Sequence, residues 1–312
     1  MRKFDGQLIT VLGGGGFLGR YVVQRLLARG ARVRIAQREP RAATFLKPLG
    51  GLGQTQFVAA DVRDPASVLR AVQGSDAVIN LAGAFDDMQA VQADGAGHVA
   101  AAAKAAGASS LVHVSAIGAD RASASVYGRS KGDGEAAVRA AFADAAILRP
   151  SIIFGREDQF INRFAAMIRM SPVVPVIAPG AKFQPAYVGD VADAVVAALE
   201  DKAVGKTFEI GGPQVLTMAE LLRWIAEATG RKPLFVDVPD VAASALATGF
   251  GWAPGAPITK DQWLMLQHDN VVAEGAAGLT ELGVTATSLA SVADDWLVQY
   301  RRHGRFAQLA SH

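Results

Sequence analysis

The chain has 312 residues, 51% hydrophobic and 19% charged, with 13 prolines and a formal net charge of +2. That balance excludes a disordered or collagen-like polymer, and basic residues spread along a near-neutral chain exclude the electrostatic footprint of a nucleic-acid binder. The absence of cysteine removes disulfides, iron–sulfur clusters, thiolate zinc and thiol nucleophiles, so any redox chemistry must come from a bound organic cofactor.

A chain of this length is expected to form one large domain with a smaller one appended. The stretch from Met1 to Gly6 is charged and runs straight into an apolar strand, unlike a cleaved signal peptide, which predicts a cytoplasmic protein. Up to about residue 150, short apolar runs alternate with Ala/Leu-rich segments of helical length. The predicted strands are 8–12, 33–36, 56–59, 77–81, 111–115 and 146–148, and the predicted helices 19–29, 67–72, 94–106 and 127–142. Strands apolar on both faces, alternating with helices, specify an α/β fold with a doubly wound parallel sheet of the Rossmann type.

After Pro150 the pattern loosens. Pro172, Pro175, Pro179 and Pro185 punctuate a stretch read as unable to form regular sheet. A helix over 190–199, a short strand over 208–210 and a helix through Ala228, opened by a capping box of Thr217 with Glu220, follow. The first domain is therefore expected to span 1–150, completed by about 183–205, and a smaller mixed α/β substrate or partner region to span 151–182 and 206–312. The apolar run 241–252 is too short to cross a membrane and is read as a helix of that second region. His98, His113, His268, His303 and His312 lack the short spacings of a metal site, so no metal is expected.

The first chemical motif is Gly13-Gly14-Gly15-Gly16-Phe17-Leu18-Gly19, between a predicted strand and a predicted helix. Glycine is needed there for a tight turn, close approach to a pyrophosphate and close helix packing, while helix N–H groups bind the phosphates. A flexible glycine loop is the plain alternative. After the second strand, where an NAD site places an acid for the ribose 2′-hydroxyl, stand Gln37 and Arg38. Arg38, with Arg41, can meet a 2′-phosphate, which points to NADP(H) over NAD(H), the alternative being one more exposed arginine. Asp61-Val62 and Asn80-Leu81-Ala82-Gly83 lie at the carboxyl ends of parallel strands, where ligands bind. Asp61 can accept from the adenine amino group, and the Ala-Gly turn admits the cofactor; a cap or turn role is the alternative for either.

Ser115 follows, and then Tyr127 and Lys131, four apart on one helical face. A cation beside a phenol lowers the cost of the phenolate, making Tyr127 a proton donor or acceptor for a carbonyl or alcohol oriented by Ser115. Gly128, Gly132 and Gly134 weaken the helix that must hold this pair.

Together these motifs resemble the extended and atypical short-chain dehydrogenases/reductases, including the NAD-dependent epimerases and dehydratases. Leu148-Arg149-Pro150-Ser151-Ile152-Ile153-Phe154-Gly155, Asp158 to Phe164, Phe183 to Ala192, Glu209-Ile210-Gly211-Gly212-Pro213 and Asp269-Asn270-Val271-Val272 are similar, more narrowly, to bacterial relatives of the nucleotide-binding accessory subunit of respiratory complex I. The resemblance implies NADPH held tightly with Arg38 at the 2′-phosphate, Ser115, Tyr127 and Lys131 in the catalytic positions with Lys131 on the nicotinamide ribose, and Pro150 and Ser151 near the nicotinamide. Three functions follow as expectations: an oxidoreductase on a carbonyl or alcohol; a non-catalytic NADPH-binding accessory or assembly factor of complex I, peripheral at the inner membrane, in which the nucleotide is structural; or an epimerase/dehydratase. The Val/Ile/Phe/Ala content of the second region favours a small apolar substrate or a respiratory-complex partner.

Overall fold

The computed structural model describes residues 4–251, 258–302 and 304. Residues 1–3, Trp252, His303 and His312 lie outside them. The chain divides into two compact units: Met1–Pro150 with Val188–Ile210 and Ala273–Thr285, and Ser151–Tyr187 with Gly211–Val272 and Ala286–His312. The return to the first unit thus begins at Val188, later than expected, and a further stretch near the C-terminus also belongs to it. Glu209 explains that stretch: its N–H donates to the Ala277 carbonyl at 2.8 Å and its carboxylate accepts from the Ala273 N–H at 2.8 Å.

In the first unit the labelled elements are β1 (Leu8–Leu12), α1 (Phe17–Ala28), β2 (Arg32–Gln37), β3 (Thr55–Ala59), α2 (Pro65–Val72), β4 (Ala77–Asn80), α3 (Gly95–Ala105), β5 (Ser110–Val114), α4 (Val126–Ala141), β6 (Ala146–Pro150), α5 (Val188–Ala197) and β7 (Thr207–Ile210). The strands form one parallel seven-stranded sheet in the order β7-β6-β5-β4-β1-β2-β3. β1 therefore has β2 on one side and β4 on the other, the point where the winding reverses and open α/β sheets form their ligand crevice. Leu12, Val78 and Leu111 pack against Val68, Val72, Val99, Ala100, Ala103 and Val138 of α2, α3 and α4.

Local chemistry sets the helix starts. Asp64 accepts from the Ala66 N–H ahead of Pro65 in α2, and Ser125 accepts from the Gly128 N–H ahead of α4. A π-helical turn, Gln89–Asp94, runs into α3. The α4 glycines do not break the helix; they let it pack. A Cβ at Gly132 would stand 2.5 Å from the Arg121 nitrogen, and one at Gly134 would strike the Gln92 carbonyl oxygen of the π-helical turn.

In the second unit, helix Ile161–Met170 starts at Asp158, whose carboxylate accepts from the N–H groups of Phe160, Ile161 and Asn162. Thr217 and Glu220 form the expected capping box of helix Met218–Ala228. Phe154, Phe183, Leu221, Leu222, Ile225 and Trp296 form its core. The proline-punctuated stretch does contain strand: Val173–Ile177 pairs in parallel with Leu234–Val238, Pro175 opposite Val236. The ribbon has only two strands, so an exposed Pro175 at its free edge removes no ladder bond. The run from Val241 belongs to helix Asp240–Phe250. Among the described residues no helix is long and apolar enough to cross a membrane, and no three His, Asp or Glu side chains gather as for a metal ion.

Gly134→Ala is expected to lower stability by about 1–3 kcal/mol through overpacking of α4 on the π-helical turn, measured as a reduced denaturation midpoint with an unchanged slope.

Candidate nucleotide-binding and active site

The glycine loop leaves β1 at Gly13, whose φ of +78° lies in the left-handed region and favours glycine. Its N–H donates to the Ala36 carbonyl at 2.8 Å, and a Cβ there would stand 3.1 Å from the Leu81 carbonyl oxygen. Gly16 stands as N-cap of α1 with no side chain to satisfy the first-turn N–H groups, which is the donor set a diphosphate uses. A Cβ at Gly19 would drive into the backbone of Gly13 and Gly14. Gly14 packs on Ile35, Phe17 meets Tyr21 edge-on at 6.2 Å, and Leu18 is buried. The loop is thus a cradle closed by backbone contacts, and it fits a dinucleotide pyrophosphate.

At the end of β2, Gln37 occupies the place where an NAD site carries an acid. It accepts from the Gly15 N–H at 3.0 Å and donates to the Glu39 carbonyl at 2.6 Å, so a neutral amide spans the loop. Arg38 and Arg41 are exposed beside it. Arg38 also acts on Asp61, whose carboxyl is held down at about 2, chiefly by Arg63. Arg63 donates to both Asp61 oxygens, the closest at 2.6 Å, and reaches Asp87 at 3.5 Å. Asp61 is therefore already engaged by Arg63, a cation two residues on that no motif above singles out. Val62 packs against Gly95, and its carbonyl meets His98 Nδ1 at 2.9 Å.

Asn80, expected at the cofactor, anchors the turn that follows β4. Its Oδ1 accepts from the Ala82 N–H at 3.1 Å, which turns its amide nitrogen toward His113 Nδ1, also at 3.1 Å, in register across β4 and β5. His113 is 1% exposed, and burial, reinforced by Lys131 and Arg139, pushes it down to about 3. It is neutral with its proton on Nε2, and that nitrogen has no protein partner among the described residues. Leu81 donates to the Leu12 carbonyl at 3.0 Å, and Gly83 leaves room for the Lys131 ammonium, 3.9 Å from where a Cβ would stand.

Ser115, just past β5, is 3% exposed, and its hydroxyl has no partner among the described residues. Tyr127 and Lys131 share the first turns of α4, with Nζ 5.8 Å from the phenol ring centre. Phe85, 70% exposed, stacks on Tyr127 at 5.5 Å. Burial pushes the Tyr127 phenol up to about 12 and the Lys131 ammonium down to about 8, the latter opposed by Glu135. A neighbouring cation is expected to lower the phenol; burial raises it instead, and Tyr127 rests as a protonated donor. The Pro150 carbonyl accepts from the Ile117 N–H at 3.1 Å. In the second unit, Ser151 donates to Asn270 Oδ1 at 2.6 Å, so its hydroxyl closes that unit.

Residues 9–211 match the model of the NAD dependent epimerase/dehydratase family. The chain is 38% identical to the mouse protein named NADH dehydrogenase [ubiquinone] 1 alpha subcomplex subunit 9, mitochondrial, over 98% of this chain and 83% of that one. It is 31% identical to the Caulobacter vibrioides ceramide reductase over 80% of each. Among solved structures, the Escherichia coli NADPH-dependent quinone oxidoreductase QOR2 complexed with NADPH superposes with a TM-score of 0.76 at 20% identity, covering 93% of this chain and 99% of that one.

His113 generates a pH prediction. Its folded value, about 3, lies below the ordinary value of 6.5, so the unfolded chain binds the extra proton and stability falls as pH drops through that window. His113→Asn should remove up to about 1.4 kcal/mol per pH unit of that slope, read from denaturant titrations on the acid side of neutrality.

Proposed function

Because the chain belongs to the NAD dependent epimerase/dehydratase family, as an extended short-chain dehydrogenase/reductase resembling a complex I subunit, we propose that it is an NADP(H)-holding accessory protein of a respiratory NADH:ubiquinone oxidoreductase. The observation that carries this reading is the 38% identity to the mouse subunit over 98% of the chain. The site agrees with holding a nucleotide: the first-turn N–H groups of α1, left without a side-chain cap by Gly16, face a diphosphate, Gln37 presents no carboxylate to repel a 2′-phosphate, and Arg38 supplies a guanidinium for it. Mass spectrometry of gently purified protein is expected to find NADPH near one per chain, and native electrophoresis of membranes to find the chain with the complex. A nucleotide-free protein, or one that never migrates with the complex, overturns the reading. Arg38→Ala should weaken NADPH binding by about 1.5–3 kcal/mol, roughly ten- to a hundredfold, and leave NADH binding unchanged.

A second reading, an oxidoreductase on an apolar carbonyl or alcohol, is favoured by the buried, unpartnered Ser115 hydroxyl and by the protonated Tyr127 phenol with Lys131 5.8 Å from its ring centre. The nucleotide supplies hydride when bound. Ser115 would orient the substrate oxygen, Tyr127 would donate its hydroxyl proton to it, and Lys131 would hold the nicotinamide ribose. On this reading Tyr127→Phe costs about 10²–10⁴-fold in turnover with NADPH retained; an unchanged rate across a panel of lipophilic ketones sinks it.

A further inference from the structure

Lys131 is 6% exposed, a place that penalises an ammonium unless something compensates. The groups around it can be taken element by element. From α4 come Tyr127 one turn before, Glu135 one turn after and Arg139 beyond. β5 contributes His113, neutral, and the Leu81–Gly83 turn contributes no charge. β6 contributes Arg149 and β7 contributes Glu209, paired in register with it. Glu135 is itself buried, at 8% exposure.

Glu135 is held on both oxygens: Arg149 Nε donates to Oε1 at 2.8 Å and Nη2 to Oε2 at 2.7 Å. This forked, planar pairing fixes a carboxylate in place as an anion. Arg149 is in turn flanked by Glu209 at 3.5 Å, whose second oxygen accepts from the Ala273 N–H at 2.8 Å. Lys131, Glu135, Arg149 and Glu209 thus alternate in sign from the crevice to the sheet edge. A helix glutamate four residues past a lysine, needed only for surface solubility, would not be buried or clamped from two further strands.

We propose that Glu135, clamped by Arg149 and through it by Glu209, is a positioning residue that keeps the Lys131 ammonium charged beside Gly83 and so sets the alkaline limit of NADP(H) binding. This rests on the reading that places Lys131 on the bound nucleotide. The sign follows directly: raising pH discharges Lys131 and weakens binding, and removing its anion makes that loss begin at lower pH.

The test is the pH dependence of the NADPH dissociation constant of the full chain, followed by nucleotide fluorescence from neutrality through the ordinary lysine range. Wild type is expected to lose affinity on the alkaline side. Glu135→Gln should move that limb acidward by about one pH unit, Glu135→Asp should bring it back toward wild type, and Glu209→Gln should move it the same way by less. Lys131→Met should abolish the limb. A folded Glu135→Gln with an unmoved limb, while Lys131→Met abolishes it, overturns the proposal and leaves the placement of Lys131 standing. A Lys131→Met variant that binds with the wild-type affinity and limb overturns that placement instead. Should Glu135→Gln fail to fold, Glu209→Gln decides: a limb identical to wild type overturns the proposal, since a merely structural carboxylate shifts the denaturation midpoint and not the pH at which binding fails.

Discussion

The constraint on which the molecule depends is the contact between the backbone leaving β1 and the first turn of α1. With no room for a Cβ at Gly19 against Gly13 and Gly14, helix and loop meet main chain to main chain. That approach leaves the helix N–H groups facing the crevice. It also seats Gly13 against the Leu81 carbonyl, so the ends of β1 and β4 are fixed relative to one another. Asn80, Gly83 and Lys131 take their places from there.

Burial governs the electrostatics of that crevice more than pairing does. Tyr127 is raised and His113 and Lys131 are lowered, each with desolvation as its first cause. All three are thereby biased toward their uncharged forms. The exposed side of the site is different: Asp61 and Arg63 form a charged pair at the surface, where solvent screens its worth. The site thus runs from a charged, solvent-exposed side at Asp61 and Arg63 to a buried side at His113 and Lys131, where proton positions are set by packing.

Much of the first unit was legible because the signals are local. Apolar runs between helical segments give the sheet, and the glycine string between β1 and α1 has one structural use in that context. What could not be read depends on how turns fold and on partners far along the chain. The bond between Asn80 and His113, 33 residues on, has no signal nearby in the sequence. The clamp of Arg63 on Asp61 depends on how the turn after β3 folds. The α4 glycines were read through helix propensity, a backbone property, whereas their role is set by what lies against them. Pro175 was read through a rule for central strands, and it sits in a ribbon with a free edge. Gln37 carried a signal in the missing acid, but the bridge it makes to Gly15 is visible only in three dimensions.

The Ala273–Thr285 stretch has a consequence for biosynthesis. The first unit draws its last piece from that stretch, and in the second Ser151 waits for Asn270, 119 residues later. Neither unit can finish while the ribosome is still within the first two hundred residues. The emerging parallel sheet must therefore stand with its β7 border incomplete through most of translation, in the high-contact-order regime where nascent chains are slow and aggregation-exposed. A cell making this protein has reason to shelter the growing chain until its final tenth appears.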